Sequence, residues 1–199
     1  MTIHAIVPVK LLPQAKSRLA PVLPPAGRRA LVLEMLGRVL QSLQHPALTN
    51  VWLLSADPTV LAAGQHWGAR PLYDHATGLN GALEEARATL WAAGAKGLLV
   101  VPADVPLITS ADVAALVAAL AQGCDLALVP DAAGRGTNAL ALRHQPLEIP
   151  FCFGPDSAHQ HLAAAAARGL RTQRLALPNL ALDIDLPVNL YAYRALVSV

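Results

Sequence analysis

The feature that most constrains this chain is a repeated switch of hydrophobic period. Short apolar runs recur along it. Between them lie longer segments whose apolar residues return every three to four positions. "IHAIVPV" (3–9), "VWLLSA" (51–56), "GLLVVPAD" (97–104) and "DLALVP" (125–130) read as strands, with "ARPLYD" (69–74) and "LRTQRLAL" (170–177) as weaker ones. Helical periodicity covers "AGRRALVLEMLGRVLQSLQ" (26–44), "PTVLAAGQHW" (58–67), "GLNGALEEARATLWAAG" (78–94), "TSADVAALVAALAQG" (109–123), "GPDSAHQHLAAAAARG" (154–169) and "PVNLYAYRAL" (187–196). Gly94 is placed to stop the third of these helices, and Thr109 with Asp112 forms a capping pattern for the fourth. "TNALALR" (137–143) alternates and is expected as a strand at the sheet edge. Strands alternating with helices predict one mostly parallel, mixed, twisted sheet covered on both faces, so residues 1–199 read as a single α/β domain.

Composition narrows the class. With 54% hydrophobic and 14% charged residues, the chain lies far from the disordered regime. A net charge of +2 gives no basic field for nucleic acid. No apolar run approaches ~18 residues, so no membrane span is expected. "MTIHAIVPVK" lacks the basic start of a signal peptide, and Cys124 and Cys152 form no CxxC pair. The expectation is a cytoplasmic protein with reduced thiols.

In such sheets ligands bind beyond the carboxyl ends of the strands. Lys10 ends the first strand, Ser55 and Asp57 follow the second, and Asp104 follows "LLVVPA". In "LDIDLP", Asp183 and Asp185 lie two residues apart in a hydrophobic stretch. On an extended backbone both carboxylates face one side. Two readings stay open. Either Asp104, Asp183 and Asp185 converge on a hard divalent cation, magnesium or manganese, or one aspartate caps the final helix and the other is solvated. The lysines are Lys10, Lys16 and Lys96, so two of them, with Arg18 nearby, fall in the loop after the first strand. That concentration suits a polyphosphate, although ordinary solvated charge explains most such residues. "FGPDS" (153–157) opens a helix and serves either as an anion site or as a plain cap. No GxxxxGK[ST] and no GxGxxG follows the first strand, which excludes a P-loop enzyme and a typical dinucleotide dehydrogenase. His159 and His161 diverge on a helix, so zinc ligation is not expected.

The ordered set "VPVK…AKSRLAPVL", "SADP", "GLNGAL", "VPADVPLIT", "GRGTNALALR", "FGPDS" and "LDIDLP" resembles the 2-phospho-L-lactate guanylyltransferase family over nearly the whole chain. The resemblance implies a Rossmann-like nucleotidyltransferase fold. It implies transfer of GMP from GTP to 2-phospho-L-lactate, phosphoenolpyruvate or 3-phosphoglycerate, with release of pyrophosphate, in the biosynthesis of the deazaflavin coenzyme F-420. The shared motifs do not choose among the three acids. By the same resemblance, Asp104, Asp183 and Asp185 would bind magnesium, or manganese in its place. Thr137, Gly154 and Ser157 would bind the acid, and Lys10, Lys16 and Arg18 the triphosphate. Ser55, Gly78 and Asn80 are further nucleotide contacts to test. A homodimer and hand-over of the product to a downstream deazaflavin transferase are also expectations. Two alternatives remain: another nucleotidyltransferase of this fold, of molybdopterin or sugar-phosphate type, and a noncatalytic GTP-binding regulator.

Overall fold

The computed structural model of the chain describes residues 1–76, 78–144 and 149–197. In chain order its elements are β1 (Ile3–Pro8), α1 (Pro25–Ser42), β2 (Asn50–Ser55), α2 (Pro58–His66), β3 (Arg70–Tyr73), α3 (Leu79–Ala92) and β4 (Gly97–Val100). Then follow α4 (Ser110–Ala121), β5 (Leu126–Pro130), β6 (Thr137–Arg143), α5 (Ser157–Ala166), β7 (Thr172–Arg174) and α6 (Pro187–Val197). The strands form one sheet in the order β3-β2-β1-β4-β6-β5-β7. The first four in that order run parallel, β6 is antiparallel to both β4 and β5, and β7 is parallel to β5.

Why the central strands are apolar without interruption is visible in β4 and the residue after it. Leu98 and Val100 enter the layer under α3 and α5, while Leu99 and Val101 enter the layer under α1, α2, α4 and α6. All four are fully buried. Both faces are covered, so alternation of polar and apolar residues would bury polar groups without partners. Truncating Leu99 to Ala would cost about 2–5 kcal/mol. Helix α4 starts as its sequence predicts, since Thr109 and Asp112 close a reciprocal capping box. Gly94 follows α3 with φ +88°, a left-handed turn that favours glycine.

The expected edge position of residues 137–143 is corrected by the sheet. β6 lies inside it, bonded to β4 on one side and β5 on the other. Its alternation is of size and not of polarity. Ala139 and Ala141 face one helical layer, Leu140 and Leu142 the other, and all are buried. The edges belong instead to β3 and to β7, whose three residues are exposed.

Candidate active site

A cavity of about 880 Å³ opens beyond the carboxyl ends of β1, β2 and β4. Its lining includes Lys10, Lys16, Arg18, Gly78, Asp104, Thr137, Asn138, Gly154, Ser157, Asp183 and Asp185. Residues far apart in sequence thus meet where a parallel sheet leaves strand ends uncovered.

The acidic part of the lining is built by two segments pinned together. The Ile184 N–H donates to the Asp104 carbonyl at 3.0 Å, and the Ile184 side chain is fully buried in the core. With Ile184 held inward, both flanking aspartates line the cavity. At the start of α6 Asn189 Oδ1 accepts the Leu186 N–H at 2.9 Å. Desolvation, then the neighbouring Asp104 charge, pushes the Asp183 carboxyl above its ordinary pKa. Asn138 opposes this with a hydrogen bond to Asp183, and its amide also donates to the Leu180 carbonyl at 2.8 Å.

Lys16 sits between two of the carboxylates. Its Nζ is 2.8 Å from Asp104 Oδ2 and 2.6 Å from Asp185 Oδ1. Burial disfavours the ammonium, but the two carboxylates outweigh it and hold the pKa of Lys16 above the usual lysine value. Lys16 also has φ +53°, an uncommon backbone state for a side chain of this kind. Arg18 reaches Asp185 at 3.8 Å from a largely solvated position. Asp57 anchors this basic loop. Its carboxylate caps α2 by accepting the Thr59 N–H at 2.9 Å and takes the Leu12 N–H at 2.9 Å. Burial works against that charge, but the backbone donors prevail and lower its pKa.

Asp104 and Asp185 offer hard oxygen donors around a point that attracts a cation, here the Lys16 ammonium, and Asp183 lines the same cavity. Among the described residues no His, Cys, Asp or Glu group of three is spaced to hold a metal ion. Magnesium does not require such a cage, since it is commonly held by one or two carboxylates and substrate phosphates. The donor chemistry therefore fits that ion.

Another part of the lining presents neutral hydroxyl side chains, although Asp131 lines the same cavity beside Gly136. Ser157 Oγ and Thr137 Oγ1 are 3.1 Å apart, and Thr137 Oγ1 is 3.2 Å from Nδ1 of buried His161. Gly154, at φ +138°, carries the turn into α5. The expected bare helix start is only partly free, because the Ala158 N–H donates to the Arg135 carbonyl at 2.8 Å.

Two expected nucleotide contacts lie elsewhere. Ser55 is fully buried outside the lining, where its Oγ accepts the Asp57 N–H at 3.1 Å. Asn80 has its amide tied in both directions to the Phe153 backbone, at 3.0 and 2.8 Å, and is also outside the lining. It positions the "FGPDS" loop. Gly78 does line the cavity, at the start of α3. Asn138 and His161 were not singled out from sequence as site residues. The polar Asn138 beside Thr137, in a strand otherwise apolar, was the one signal that could have found the first.

Solved structures share this fold. CMP-2-keto-3-deoxy-manno-octonic acid synthetase, complexed with CTP, superposes with a TM-score of 0.64 at 19% identity, covering 100% of this chain and 99% of that one. The 4-diphosphocytidyl-2C-methyl-D-erythritol synthase of Anaerococcus prevotii superposes with a TM-score of 0.65 at 10% identity, over 100% and 99%. A Rossmann-like sheet with its cavity at the strand ends, lined by clustered aspartates and a basic loop, is the frame of a nucleotidyltransferase. Residues 3–192 match the family model described as "Guanylyl transferase CofC like", and the chain belongs to that family. It is 47% identical over 190 residues to the phosphoenolpyruvate guanylyltransferase of Rubrobacter xylanophilus, covering 96% of this chain and 92% of that protein. It is 46% identical over 196 residues to the protein of the same description in Chloroflexus aggregans, with 95% of each covered. The enzyme is thus a guanylyltransferase. Among its described residues no helix is long and apolar enough to cross a membrane.

Proposed function

We propose that this guanylyltransferase moves GMP from GTP onto the phosphate of phosphoenolpyruvate, releasing pyrophosphate. The product would be a diphosphate diester, guanosine on one phosphorus and enolpyruvate on the other, used to build the deazaflavin coenzyme F-420, made in the cytoplasm and passed to the next transferase. The observation that carries this reading is one cavity lined both by a carboxylate–lysine cluster and by a neutral hydroxyl pair. The first suits a triphosphate and its counter-cation, the second a small anionic acid. The names of the relatives at 47% and 46% identity support phosphoenolpyruvate over the other two acids.

The acceptor phosphate, with a second pKa near ~6, is largely a dianion at neutral pH and attacks the α-phosphorus in line without a general base. What the chain must do is bring two anions together and hold them. Lys10 and Arg18 would neutralise the triphosphate from the loop after β1. Lys16 joins them by exchanging a carboxylate partner for phosphate oxygens. Thr137, Ser157 and the backbone at Gly154 hold the acid, so that its phosphate faces the α-phosphorus. Asp104, Asp183 and Asp185 would hold magnesium, which when bound supplies charge stabilisation for the departing pyrophosphate.

Pyrophosphate release is measured with GTP and, separately, phosphoenolpyruvate, 2-phospho-L-lactate and 3-phosphoglycerate, with the product identified by mass. Preferred turnover of phosphoenolpyruvate supports the assignment. Preference for another acid moves the acceptor, and no turnover with any of them removes the proposal.

A further inference from the structure

His161 has no role in the reaction as described, yet it is wholly buried behind the hydroxyl pair. Its ring is fixed on three sides. The Cys152 backbone N–H lies 2.9 Å from Nε2, Thr137 Oγ1 lies 3.2 Å from Nδ1, and Phe153 packs edge-on with ring centroids 5.1 Å apart. A backbone N–H can only donate, so Nε2 must be the unprotonated nitrogen. The ring proton of the neutral imidazole therefore sits on Nδ1, where the Thr137 hydroxyl oxygen and the Ser157 carbonyl share it, and Nδ1 cannot accept the Thr137 proton.

His161 Nδ1–H, the Thr137 O–H and the Ser157 O–H are three donors. The chain of contacts from His161 to Thr137 to Ser157 uses two of them. One hydroxyl proton remains, and both hydroxyl residues line the cavity. With the other tautomer Nδ1 would accept, two protons would fill two contacts, and nothing would be left to offer an anion.

We infer that His161 is a positioning residue that, locked by the Cys152 N–H in its Nδ1-protonated form, orients the Thr137–Ser157 pair so that one O–H points into the cavity for the anionic acceptor. This rests on the acceptor lying at that pair, as proposed above. Burial keeps the ring neutral, with a pKa lowered to about 4 against the weaker opposing pull of the Ser157 carbonyl. The arrangement thus persists across the neutral range.

The test is a double-mutant cycle read by steady-state kinetics, with phosphoenolpyruvate and GTP varied in turn. His161→Phe should raise the KM for phosphoenolpyruvate about three- to tenfold, leaving kcat and the KM for GTP within about twofold. In a Thr137→Val background the same change should add nothing, because the hydroxyl through which it acts is gone. His161→Asn, whose amide N–H can replace Nδ1–H, should restore most of the affinity. Equal effects of His161→Phe with and without the Thr137 hydroxyl would overturn the inference, as would a loss confined to kcat or GTP. Nitrogen NMR of the wild-type imidazole decides the same point should His161→Phe not fold. Protonated Nδ1 with unprotonated Nε2 at neutral pH is expected, and the reverse tautomer or a charged ring refutes the role. If wild-type enzyme fails to turn over phosphoenolpyruvate, the acceptor assignment falls, while the NMR result still reports on His161.

Discussion

Around Lys16 the cavity lining is ionic, partly solvated and held by coil that follows β1, β4 and a short 3-10 turn. Around Thr137 and Ser157 the hydroxyl side chains are neutral, buried and held by β6 and α5. Only 1% of Ser157 and 6% of Thr137 are exposed, whereas the Arg18 side chain is 71% exposed. In the ionic region burial, and after it the Asp104 charge, raises the pKa of Asp183. The hydroxyl region carries a left-handed residue too, Asp156 at φ +56° against φ +53° for Lys16, so the two regions differ in charge and not in backbone strain. On the proposed function, Lys16 would exchange a carboxylate partner for phosphate oxygens, while the hydroxyl pair would keep its contacts. The first suits charge that develops during reaction and the second suits recognition.

The hardest test of this contrast is removal of charge from the ionic region. Asp104→Asn and Asp185→Asn should each lower turnover by about a thousandfold or more, with the fold retained by circular dichroism. Near-normal pyrophosphate release at saturating magnesium would break the assignment. Lys16→Ala should lower kcat/KM for GTP about a hundredfold, since an ionic hydrogen bond and a counter-charge go together. Lys96→Ala, an exposed lysine remote from the cavity lining, should change nothing, and equal small effects would make Lys16 ordinary surface charge.

The neutral region should reveal itself through pH. The His161 pKa is lowered in the fold to about 4 by burial. Between the ordinary value of ~6.5 and that value, the unfolded chain binds more protons than the folded one. The stability associated with neutral His161 is therefore complete above pH ~6.5 and declines as pH falls through about 4. Urea melts at pH 7 and 4.5 should show the wild type losing about 2–3 kcal/mol more than His161→Asn. Parallel losses would mean that the ring titrates normally.

Thr137→Val and Ser157→Ala should each cost roughly 1.5–3 kcal/mol of acceptor binding, a ten- to hundredfold rise in the KM for phosphoenolpyruvate, with GTP unaffected. The opposite pattern would exchange the two substrates between the regions. The smallest effect sharpens the comparison most. Burial and Asp104 raise the Asp183 pKa, so at neutral pH its charge opposes folding. Asp183→Asn should therefore melt slightly higher without magnesium, by under ~1 kcal/mol, even as turnover falls. A lower melting temperature would show that the carboxylate contributes to stability after all.

Much of this was legible in the chain before it was folded. The switch of hydrophobic period marked strands and helices, because burial on one stripe or on both faces leaves a local record. The two-residue spacing of Asp183 and Asp185 around an apolar Ile184 foretold two carboxylates on one side, because backbone geometry alone directs them. The Thr109–Asp112 box was readable for the same reason, its partners being neighbours in sequence. The tertiary structure alone decided which distant groups meet. A small-and-large alternation in 137–143 cannot say whether a strand is central, since that depends on which strands lie beside it. Lys16 finds Asp104 and Asp185 from 88 and 169 residues away. The amide of Asn80, which sequence alone would send to a nucleotide, turns to Phe153, and the His161 proton is set by the N–H of Cys152. Local pattern records how deeply a residue is buried, whereas the direction of a hydrogen bond is settled only when two remote segments are packed against each other.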